Sequence, residues 1–440
     1  KLQTSVVAGR AVDETADNFL LRVPWALALC HDLEIDGELV SPAARHAAVF
    51  VDGTRRPFPE GHVLGVPTDL DALALSGLLS PEGLARVAED LDRPADLADP
   101  GLAGHDVTIG PYLRRRLGDE LVDHLIDPLV GGINAGDTAH LGLAAVVPQL
   151  DAAARSGDAS LIRSCRAQRE RALAATPGGA DAPVFAAPIG GMARLVDALV
   201  HLMPALDVRA GRAVVALEPE AGGGVRAVLD DGTAISAEVA VVAVPAGPAV
   251  DLVTPFAGAA AGAALAGLDH ASVTMATLAF AHGTVGTTPG VSGCLVPRDQ
   301  GMLVTAISDA TQKWVQLRDP ERDDVLLRVS LGRAGDDRHL ALDDADLLAA
   351  VLADLDRIVG VAADPTDVRI GRLVDGLPQY APGHLDRIDA LETALAGGPV
   401  ALAGAALRGV GIPACIRSGE DAAAALGATW PTRRALGPPA

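Results

Sequence analysis

Residues 400–426, VALAGAALRGVGIPACIRSGEDAAAAL, decide the fold of this chain. The apolar run from Pro399 to Leu402 predicts a buried strand. The glycines at 409 and 411 let the backbone approach a ligand closely, and Pro413 suits the first turn of a helix. The segment therefore predicts a strand, a tight turn and a helix that begins at the turn.

This helix, which we expect from about Ala414 to Leu426, would present free N–H groups and a partial positive charge at its start. A reduced flavin carries negative charge near N1 and O2, so the arrangement suits a flavin ring. The same pattern is also typical of a glycine turn that only joins a strand to a packing helix in α/β proteins. The residues alone leave both interpretations open.

Upstream, two segments have sequence patterns that also occur in dinucleotide-binding domains. Gly190-Gly191-Met192 precedes a helical pattern, and residues 208–244 form a predicted meander of short strands that ends in the apolar run Val239–Val244. In flavoproteins a strand of this kind flanks the adenine. Taken alone, each segment is better explained by ordinary structure, a helix-capping loop in the first case and a β-meander in the second.

The remaining chain alternates between strand and helix patterns. Residues 2–13 predict a short hairpin, and FVDGTRRPFP (50–59) predicts a second with Asp52-Gly53 as its turn. Helical periodicity dominates residues 68–176. Residues 250–380 mix the strand patterns SVTMATLAFA, GCLVP, MLVTAI and VLLRVSLGR with one helix, residues 343–359.

Composition excludes several classes of function. The formal net charge of −22 argues against nucleic acid and anionic membrane surfaces as partners. The four cysteines form no CxxC pair, which favours reduced thiols in a cytoplasmic protein and gives no metal site. The most apolar run, residues 255–268, is too short for an integral membrane segment. The sequence also lacks the GxSxG, HExxH and P-loop motifs of nucleophilic, zinc and phosphate chemistry.

Basic residues are the candidates for contacts with an acidic ligand. Arg114, Arg115 and Arg116 are consecutive, so on a helix they splay around the circumference and predict a solvated face. Lys313, Arg328 and Arg333 lie in the mixed region and are candidates for carboxylate contacts.

Seven segments, in order along the chain, resemble the oxygen-dependent FAD porphyrinogen oxidases (coproporphyrinogen III and protoporphyrinogen oxidases) of the flavin amine-oxidase superfamily. LPQYAPGHLDRI (377–388) and LAGAALRGVGIPACIRSG (402–419) are the most specific of them. The others are KLQTSVVAGRAVDETADNFL, RPFPEGHVLGVPTDL, GPYLRRRLGDELVDHLIDPLVGGINAGD, IGGMARLVDAL and LRVSLGRAGD.

The resemblance implies an α/β fold of the amine-oxidase type with three parts. A discontinuous, Rossmann-like FAD-binding domain would comprise residues 1–45, 185–249 and 386–440. A substrate-binding domain with a mixed sheet would comprise residues 46–66 and 250–385. A helical domain would be inserted at residues 67–184.

The resemblance also implies a reaction and a cofactor site. FAD would oxidise coproporphyrinogen III to coproporphyrin III with O₂ as acceptor, in haem biosynthesis in the cytoplasm, and a haem-pathway enzyme would be a possible partner. No catalytic side chain is implied, because the cofactor carries the chemistry. The residues implied to contact FAD are Thr15, Ala16, Asp17, Asn18, Val214, Val410, Gly411 and Ile412.

The sequence departs from the family pattern at two levels. The family opens with a strand, a GxGxxG turn and a helix, and by that comparison about 40 residues, roughly one βαβ unit, are missing before Lys1. Several aromatic positions of the family are also replaced, namely by Leu373, Cys294, Asn134 and Leu407. The alternatives are a protoporphyrinogen IX oxidase, a truncated non-catalytic homologue that binds porphyrin or a pathway partner, and a flavoenzyme that acts on an amine or a carotenoid.

Overall fold

The structure is a computed structural model that describes residues 2–92, 102, 106–176, 178–179, 182–319 and 321–427. Strands and helices alternate along these residues. The strands are β1 Thr4–Val7, β2 Arg10–Asp13, β3 Phe19–Leu20, β4 Leu39–Val40, β5 His46–Val51, β6 Thr54–Pro57, β7 His62–Val63, β8 Val66–Pro67, β9 Phe185–Pro188, β10 Val214–Pro219, β11 Val225–Leu229, β12 Ala234–Ala237, β13 Ala240–Val242, β14 His270–Phe280, β15 Val291–Leu295, β16 Val304–Asp309, β17 Val325–Leu331, β18 Asp367–Pro378 and β19 Val400–Leu402.

The helices cluster in the central and C-terminal parts. They are α1 Pro24–Asp32, α2 Leu70–Ser76, α3 Pro81–Ala88, α4 Ile109–Leu117, α5 Asp119–Leu121, α6 Gly132–Asn134, α7 Leu143–Val146, α8 Pro148–Ala154, α9 Leu161–Ala175, α10 Ala193–Leu202, α11 Ala246–Ala257, α12 Ala259–Ala266, α13 Ala310–Lys313, α14 Asp344–Val359, α15 His384–Leu395 and α16 Ile412–Ala425, with a π-helix at Val122–Gly131. Within the described ranges, no helix is long and apolar enough to cross a membrane.

The largest sheet has seven strands in the order β18-β14-β17-β16-β15-β5-β6. Its pairs are antiparallel except for β15 and β5, which run parallel, so the sheet is mixed as predicted. Helix α14 packs Leu347, Val351 and Leu355 into the same core as the sheet. The sheet and α14 together form one hydrophobic core of the molecule.

A second core lies among helices, between residues 49 and 165. It contains Leu113, Leu117, Leu125 and Ile126, all fully buried. The π-helix in this region contains Pro128, whose ring removes a backbone donor and disrupts regular α-helical bonding. Periodicity correctly predicted a helical region here but could not distinguish this π segment from an α-helix.

The charged run at 114–116 differs from its prediction. Arg114 is partly exposed and pairs with Asp119 and Asp123. Arg116, in contrast, is buried, and its Nη2 lies 2.7 Å from Oδ1 of the fully buried Asp90. Arg116 therefore anchors the helical region internally and does not belong to a solvated face.

The third part joins chain segments that are distant in sequence. Strands β13 and β19 form a parallel pair, with Ala240 opposite Val400. The meander β10-β11-β12, the helices α11, α12 and α15, and this pair share one core. The predicted helix at the C-terminal end is α16, although it begins at Ile412, two residues earlier than expected. The predicted domain boundaries stay a prediction, and residues 428–440 lie outside the described part of the chain.

Strand β18 was not singled out from the sequence. Among the described strands it lies at the edge of the sheet beside β14, and most of its residues are partly or fully exposed. Arginines, aspartates and two glycines interrupt its apolar pattern, so no strand periodicity stands out. Its end is nevertheless important, because it delivers the segment 377–388 to the site described next.

Candidate active site

The turn between β19 and α16 is the centre of the site. We call residues 403–411 the C-terminal turn. Gly404 and Gly409 have φ angles of +116° and +147°, where L side chains are rare. A Cβ on Gly409 would lie 2.7 Å from the Cβ of Ala414, which is too close for contact. Both glycines are therefore required by the geometry of the turn.

Helix α16 begins at the end of this turn without a side-chain cap. Its N-cap residue is Gly411, which has no side chain to accept a hydrogen bond, and Pro413 follows in the first turn. The remaining N–H groups at the helix start are therefore available to a ligand with acceptor atoms or negative charge.

Four backbone groups of the C-terminal turn are held by side chains. The Gly404 N–H donates to Ser418 Oγ at 2.8 Å. Tyr380 donates its hydroxyl to the Ala405 carbonyl at 2.5 Å and accepts from the Gly409 N–H at 3.0 Å. The fourth group, the Leu407 carbonyl, lies 2.6 Å from the Nε2 atom of a buried histidine in α15. The turn is thus held in place on both sides.

A cavity of about 800 Å³ opens on this turn. It is mainly apolar, and it extends from the C-terminal turn to the helical region. Its lining in the helical region includes Leu64, Val130, Ile133, Asn134, Val146 and Val147, and its lining at the turn includes Leu407, Gly409, Val410 and Gly411. An apolar cavity of this size with few polar groups is typical of cofactor and small-molecule sites.

The loop before β3 carries a second polar arrangement. The carboxylate of Asp17 lies 2.9 Å from Lys313 Nζ and 2.8 Å from Arg328 Nη1, and it accepts a hydrogen bond from Trp314 Nε1 at 3.2 Å. Burial alone would raise the pKa of Asp17, but Arg328 and Lys313 hold it well below its usual range. Asp17 is therefore ionised, and its carboxylate is held by Lys313, Arg328 and Trp314.

A smaller cavity of about 270 Å³ lies beside this ion cluster. Asp13, Asp17, Arg328 and the pair Gly190-Gly191 line it. Burial raises the pKa of Asp13, while hydrogen bonds from Thr4 Oγ1 and the backbone N–H of Met192 oppose that rise. Asp13 therefore fastens the β1–β2 hairpin to the start of α10.

The structure distributes the predicted cofactor residues over three places. Val410 and Gly411 line the large cavity, and Ile412 starts α16 beside them. Thr15, Ala16, Asp17 and Asn18 form the loop before β3, in which Asp17 borders the smaller cavity and Asn18 Nδ2 donates to Asp17 at 2.6 Å.

The remaining candidate, Val214, starts β10, is 42% exposed and does not line either of the two cavities. The strand after the loop and the start of α16 share a core, since Phe19 of β3 is buried in a core against which Ile412 packs. The loop itself borders the smaller cavity and the C-terminal turn borders the larger one.

The cations proposed for carboxylate contacts have other partners. Lys313 and Arg328 bind Asp17, and Arg328 Nη2 also donates to the Thr15 carbonyl at 2.5 Å. Arg333 is buried, and its hydrogen bond goes to the Val296 carbonyl at 3.5 Å. The structure therefore gives these cations roles inside the sheet region, away from the lining of the large cavity.

Two of the four replaced aromatic positions line the large cavity. These are Asn134 and Leu407, whereas Leu373 lies in β18 opposite Val273. Cys294 is buried in β15, and burial raises the pKa of its thiol to about 12. Asn134 and Leu407 therefore contribute an amide and an aliphatic side chain to the cavity wall.

Sequence reasoning missed the side chains that hold the C-terminal turn. Tyr380 and Ser418 both lie in segments that carry the family resemblance, yet no role was assigned to them. The available signal was the presence of a phenol and a hydroxyl in otherwise apolar, glycine-rich segments, because buried hydroxyls need hydrogen-bond partners.

Comparison with known proteins agrees with this architecture. The family model described as "Flavin containing amine oxidoreductase" matches residues 1–427. The chain belongs to this family. As a flavin-containing amine oxidoreductase, it uses FAD as its cofactor, which suits the uncapped helix start at the C-terminal turn.

Relatives within the family are similar over nearly the whole chain. A coproporphyrinogen III oxidase of Mycobacterium tuberculosis (strain H37Rv) is 35% identical over 425 residues, which cover 94% of this chain and 86% of the relative. A coproporphyrinogen III oxidase of Bacillus subtilis (strain 168) is 31% identical over 424 residues, with coverage of 96% and 88%.

A solved structure from Exiguobacterium sp. 255-15 has the same fold. That protein, provisionally named a protoporphyrinogen oxidase, superposes with a TM-score of 0.81 and 30% identity, and the match covers 95% of this chain and 88% of that one. The predicted amine-oxidase type of fold is therefore confirmed for this flavin-containing amine oxidoreductase.

Proposed function

We propose that this protein oxidises coproporphyrinogen III to coproporphyrin III, with FAD as cofactor and O₂ as electron acceptor, in haem biosynthesis. The observation that carries the proposal is the apolar cavity of about 800 Å³ that extends from the C-terminal turn to the helical region. Relatives named coproporphyrinogen III oxidases at 35% and 31% identity support the choice of substrate.

The C-terminal turn is the proposed support for the flavin ring. Val410, Gly411 and Ile412 would lie beneath the ring, with the uncapped N–H groups of α16 directed at its electron-rich edge. The loop Thr15–Asn18 would contact the flavin from the neighbouring core, and Val214 would contact the adenine. The FAD-binding part is proposed to comprise residues 1–45, 185–249 and 386–440.

Bound FAD would supply the two-electron acceptor for each of three oxidations of the porphyrinogen, which together release six electrons and six protons and reduce three O₂ to three H₂O₂. The protein's own contribution is to orient the macrocycle and to exclude water. The apolar side chains Val130, Ile133, Val146 and Val147 form the wall opposite the turn, and a macrocycle between them is held in one orientation. No proton-transferring side chain is required by this arrangement.

Carboxylate recognition is proposed for the charged part of the cavity lining. Arg408 pairs with Asp389 and Glu392 at 2.5 Å each, so it is already neutralised. Arg417 has a looser pair with Asp421 at 3.4 Å and lies 4.8 Å from the ring centroid of Trp25. Arg417 is therefore the better candidate for binding a propionate of the substrate.

The second candidate substrate is protoporphyrinogen IX, since the Exiguobacterium protein carries that name. The two substrates differ in the number of carboxylates, four against two. An effect of Arg417→Gln on coproporphyrinogen III that exceeds its effect on protoporphyrinogen IX would therefore favour the first.

We further propose that the protein acts in the cytoplasm and that it passes its product to another haem-pathway enzyme. The support for the compartment is that all four cysteines are free, three of them buried, which suits a reducing environment.

The test is a steady-state comparison of the two porphyrinogens with FAD-loaded protein, followed by porphyrin fluorescence. We expect a higher kcat/KM for coproporphyrinogen III, and we expect Arg417→Gln to lower that value severalfold. Equal values for both substrates in the wild type would contradict the substrate assignment.

A further inference from the structure

Tyr380 occupies an unusual position in the site. Its side chain is 3% exposed, and its hydroxyl bridges the carbonyl of Ala405 and the N–H of Gly409. These two groups lie four residues apart in the C-terminal turn. Burial raises the pKa of this phenol above its usual range, so the hydroxyl stays protonated and keeps its donor.

His384 completes this arrangement from the first turn of α15. Its ring stacks on that of Tyr380, with centroids 4.0 Å apart and planes inclined by 15°. Its Nε2 lies 2.6 Å from the Leu407 carbonyl and must therefore carry the proton. Because burial lowers the pKa of His384, the ring is neutral, and a single N–H donates to the turn.

The segment that carries both side chains is itself fixed to the helical region. The carbonyl of Tyr380 accepts from the Gly142 N–H at 2.7 Å. Asp106 accepts from the N–H groups of Gly383 and Ala144 at 3.2 and 3.0 Å. Residues 380–384 thus connect the helical wall of the cavity to the C-terminal turn.

We propose that Tyr380 and His384 are positioning residues for the flavin, and that they act by fixing the C-terminal turn. Three of the turn's backbone groups depend on them: the carbonyls of Ala405 and Leu407 and the N–H of Gly409. The turn ends at the uncapped start of α16, so its displacement moves the N–H groups that face the cofactor. The inference rests on the proposed placement of the flavin on this turn.

The test compares Tyr380→Phe with Tyr112→Phe in the full chain. Tyr112 is 2% exposed in the helical core and does not line the large cavity, so Tyr112→Phe removes an equally buried hydroxyl away from the proposed flavin site. We expect Tyr380→Phe to raise the Kd for FAD about tenfold, which corresponds to about 1.4 kcal/mol. We also expect a more negative flavin reduction potential, because the N–H groups stabilise the reduced flavin less well.

The control should leave the cofactor site unchanged. For Tyr112→Phe we expect the Kd for FAD and the flavin potential to stay at wild-type values, whatever the change in the Tm of the apoprotein. If both variants change the Kd equally, or if Tyr380→Phe leaves the Kd and the potential unchanged, the inference is overturned.

His384 offers a second measurement in case Tyr380→Phe does not fold. His384→Gln keeps an N–H donor near the position of Nε2, whereas His384→Leu has none. We expect the glutamine variant to bind FAD more tightly than the leucine variant, and equal affinities would overturn the inference. The two proposals fail differently. If the wild type binds FAD and the variants bind it equally well, only the positioning role is wrong, whereas a wild type that binds no FAD contradicts the proposed function itself.

Discussion

At the scale of single residues, Asp17 ties the loop before β3 to residues of the large-sheet region. Its carboxylate pairs with both Lys313 and Arg328, whose side chains are 19% and 6% exposed. Two cations that close together in a buried place require an acidic partner. The sequence showed an acidic residue in a segment implied to bind FAD, but it could not show that residues 313 and 328 fold back onto it.

Substitution of Asp17 tests this interpretation. Asp17→Asn leaves both cations buried without a counter-charge, and we expect a loss of about 3 kcal/mol in the free energy of unfolding, measured by urea denaturation. The matched control is Glu218→Gln, which breaks the half-exposed pair with Arg226 and should cost less than about 1 kcal/mol. Similar losses in the two variants would contradict a buried ion cluster.

His62 predicts how stability depends on pH. Burial, with a smaller contribution from Arg169, lowers its pKa from 6.5 to about 4. The folded protein therefore holds His62 neutral while the unfolded chain takes up a proton, so stability is present above pH 6.5 and is lost as the pH falls towards 4. The difference corresponds to about 3 kcal/mol at pH 4.

The measurement is the free energy of unfolding between pH 7.5 and pH 4 for the wild type and His62→Gln. We expect the wild type to lose about 3 kcal/mol more than the variant over this range. His201→Gln, at an exposed position of α10, serves as the control and should follow the wild type. Parallel curves for wild type and His62→Gln would show that His62 is not held neutral.

At the scale of elements, the strand–turn–helix of residues 400–426 was predictable because each part has a local cause. An apolar run gives β19, glycines give the turn, and Pro413 starts α16. Strand β18 was not predictable in this way, since its pairing with β14 depends on partners about 90 to 110 positions away, from Ala279 opposite Asp367 to His270 opposite Pro378. The hydrogen bonds from Tyr380 to the turn also depend on tertiary packing, so the sequence motif around Tyr380 could not predict them.

Replacement by alanine is expected to have opposite effects on stability at two glycines of the strand–turn–helix, Gly409 and Gly419. Gly409→Ala places a Cβ against Ala414 at a φ of +147°, so we expect a loss of about 1–3 kcal/mol of stability and weaker FAD binding. Gly419→Ala lies inside α16 with open space around the new methyl group, and it should gain about 0.5–1 kcal/mol. Thermal denaturation and FAD titration of both variants check this, and a neutral Gly409→Ala would contradict the geometry of the turn.

At the scale of the whole molecule, the cavity depends on how the helical region meets the large sheet. Arg298, which follows β15, donates to Asp127 Oδ2 at 3.1 Å and to the Gly136 carbonyl at 2.6 Å. Asp127 also accepts from Thr138. These bonds fix the segment that carries Val130 and Asn134, which form the cavity wall opposite the turn.

Loss of this connection should affect the substrate more than the cofactor. For Arg298→Ala we expect a KM for coproporphyrinogen III about fivefold higher, which corresponds to about 1 kcal/mol, with an unchanged Kd for FAD. Arg114→Ala is the control, because Arg114 pairs with acidic residues of the helical region itself. A fivefold increase in the Kd for FAD in Arg298→Ala would contradict the claim that the helical wall binds substrate while the C-terminal turn binds FAD.

The overall architecture was predictable because the family segments are spread over the whole chain in a fixed order. The contacts between parts were not, since Arg298, Asp127 and Tyr380 each act on residues far away in sequence. Such contacts follow from the packing of complete elements, which local patterns do not encode.

The most direct test of the proposed function is an anaerobic single-turnover experiment. FAD-loaded protein is mixed with coproporphyrinogen III in the absence of O₂, and the visible absorbance of the flavin is followed. The account predicts rapid loss of the oxidised flavin band, faster than with protoporphyrinogen IX, and full recovery when O₂ is admitted. A flavin that stays oxidised in the presence of coproporphyrinogen III would contradict it.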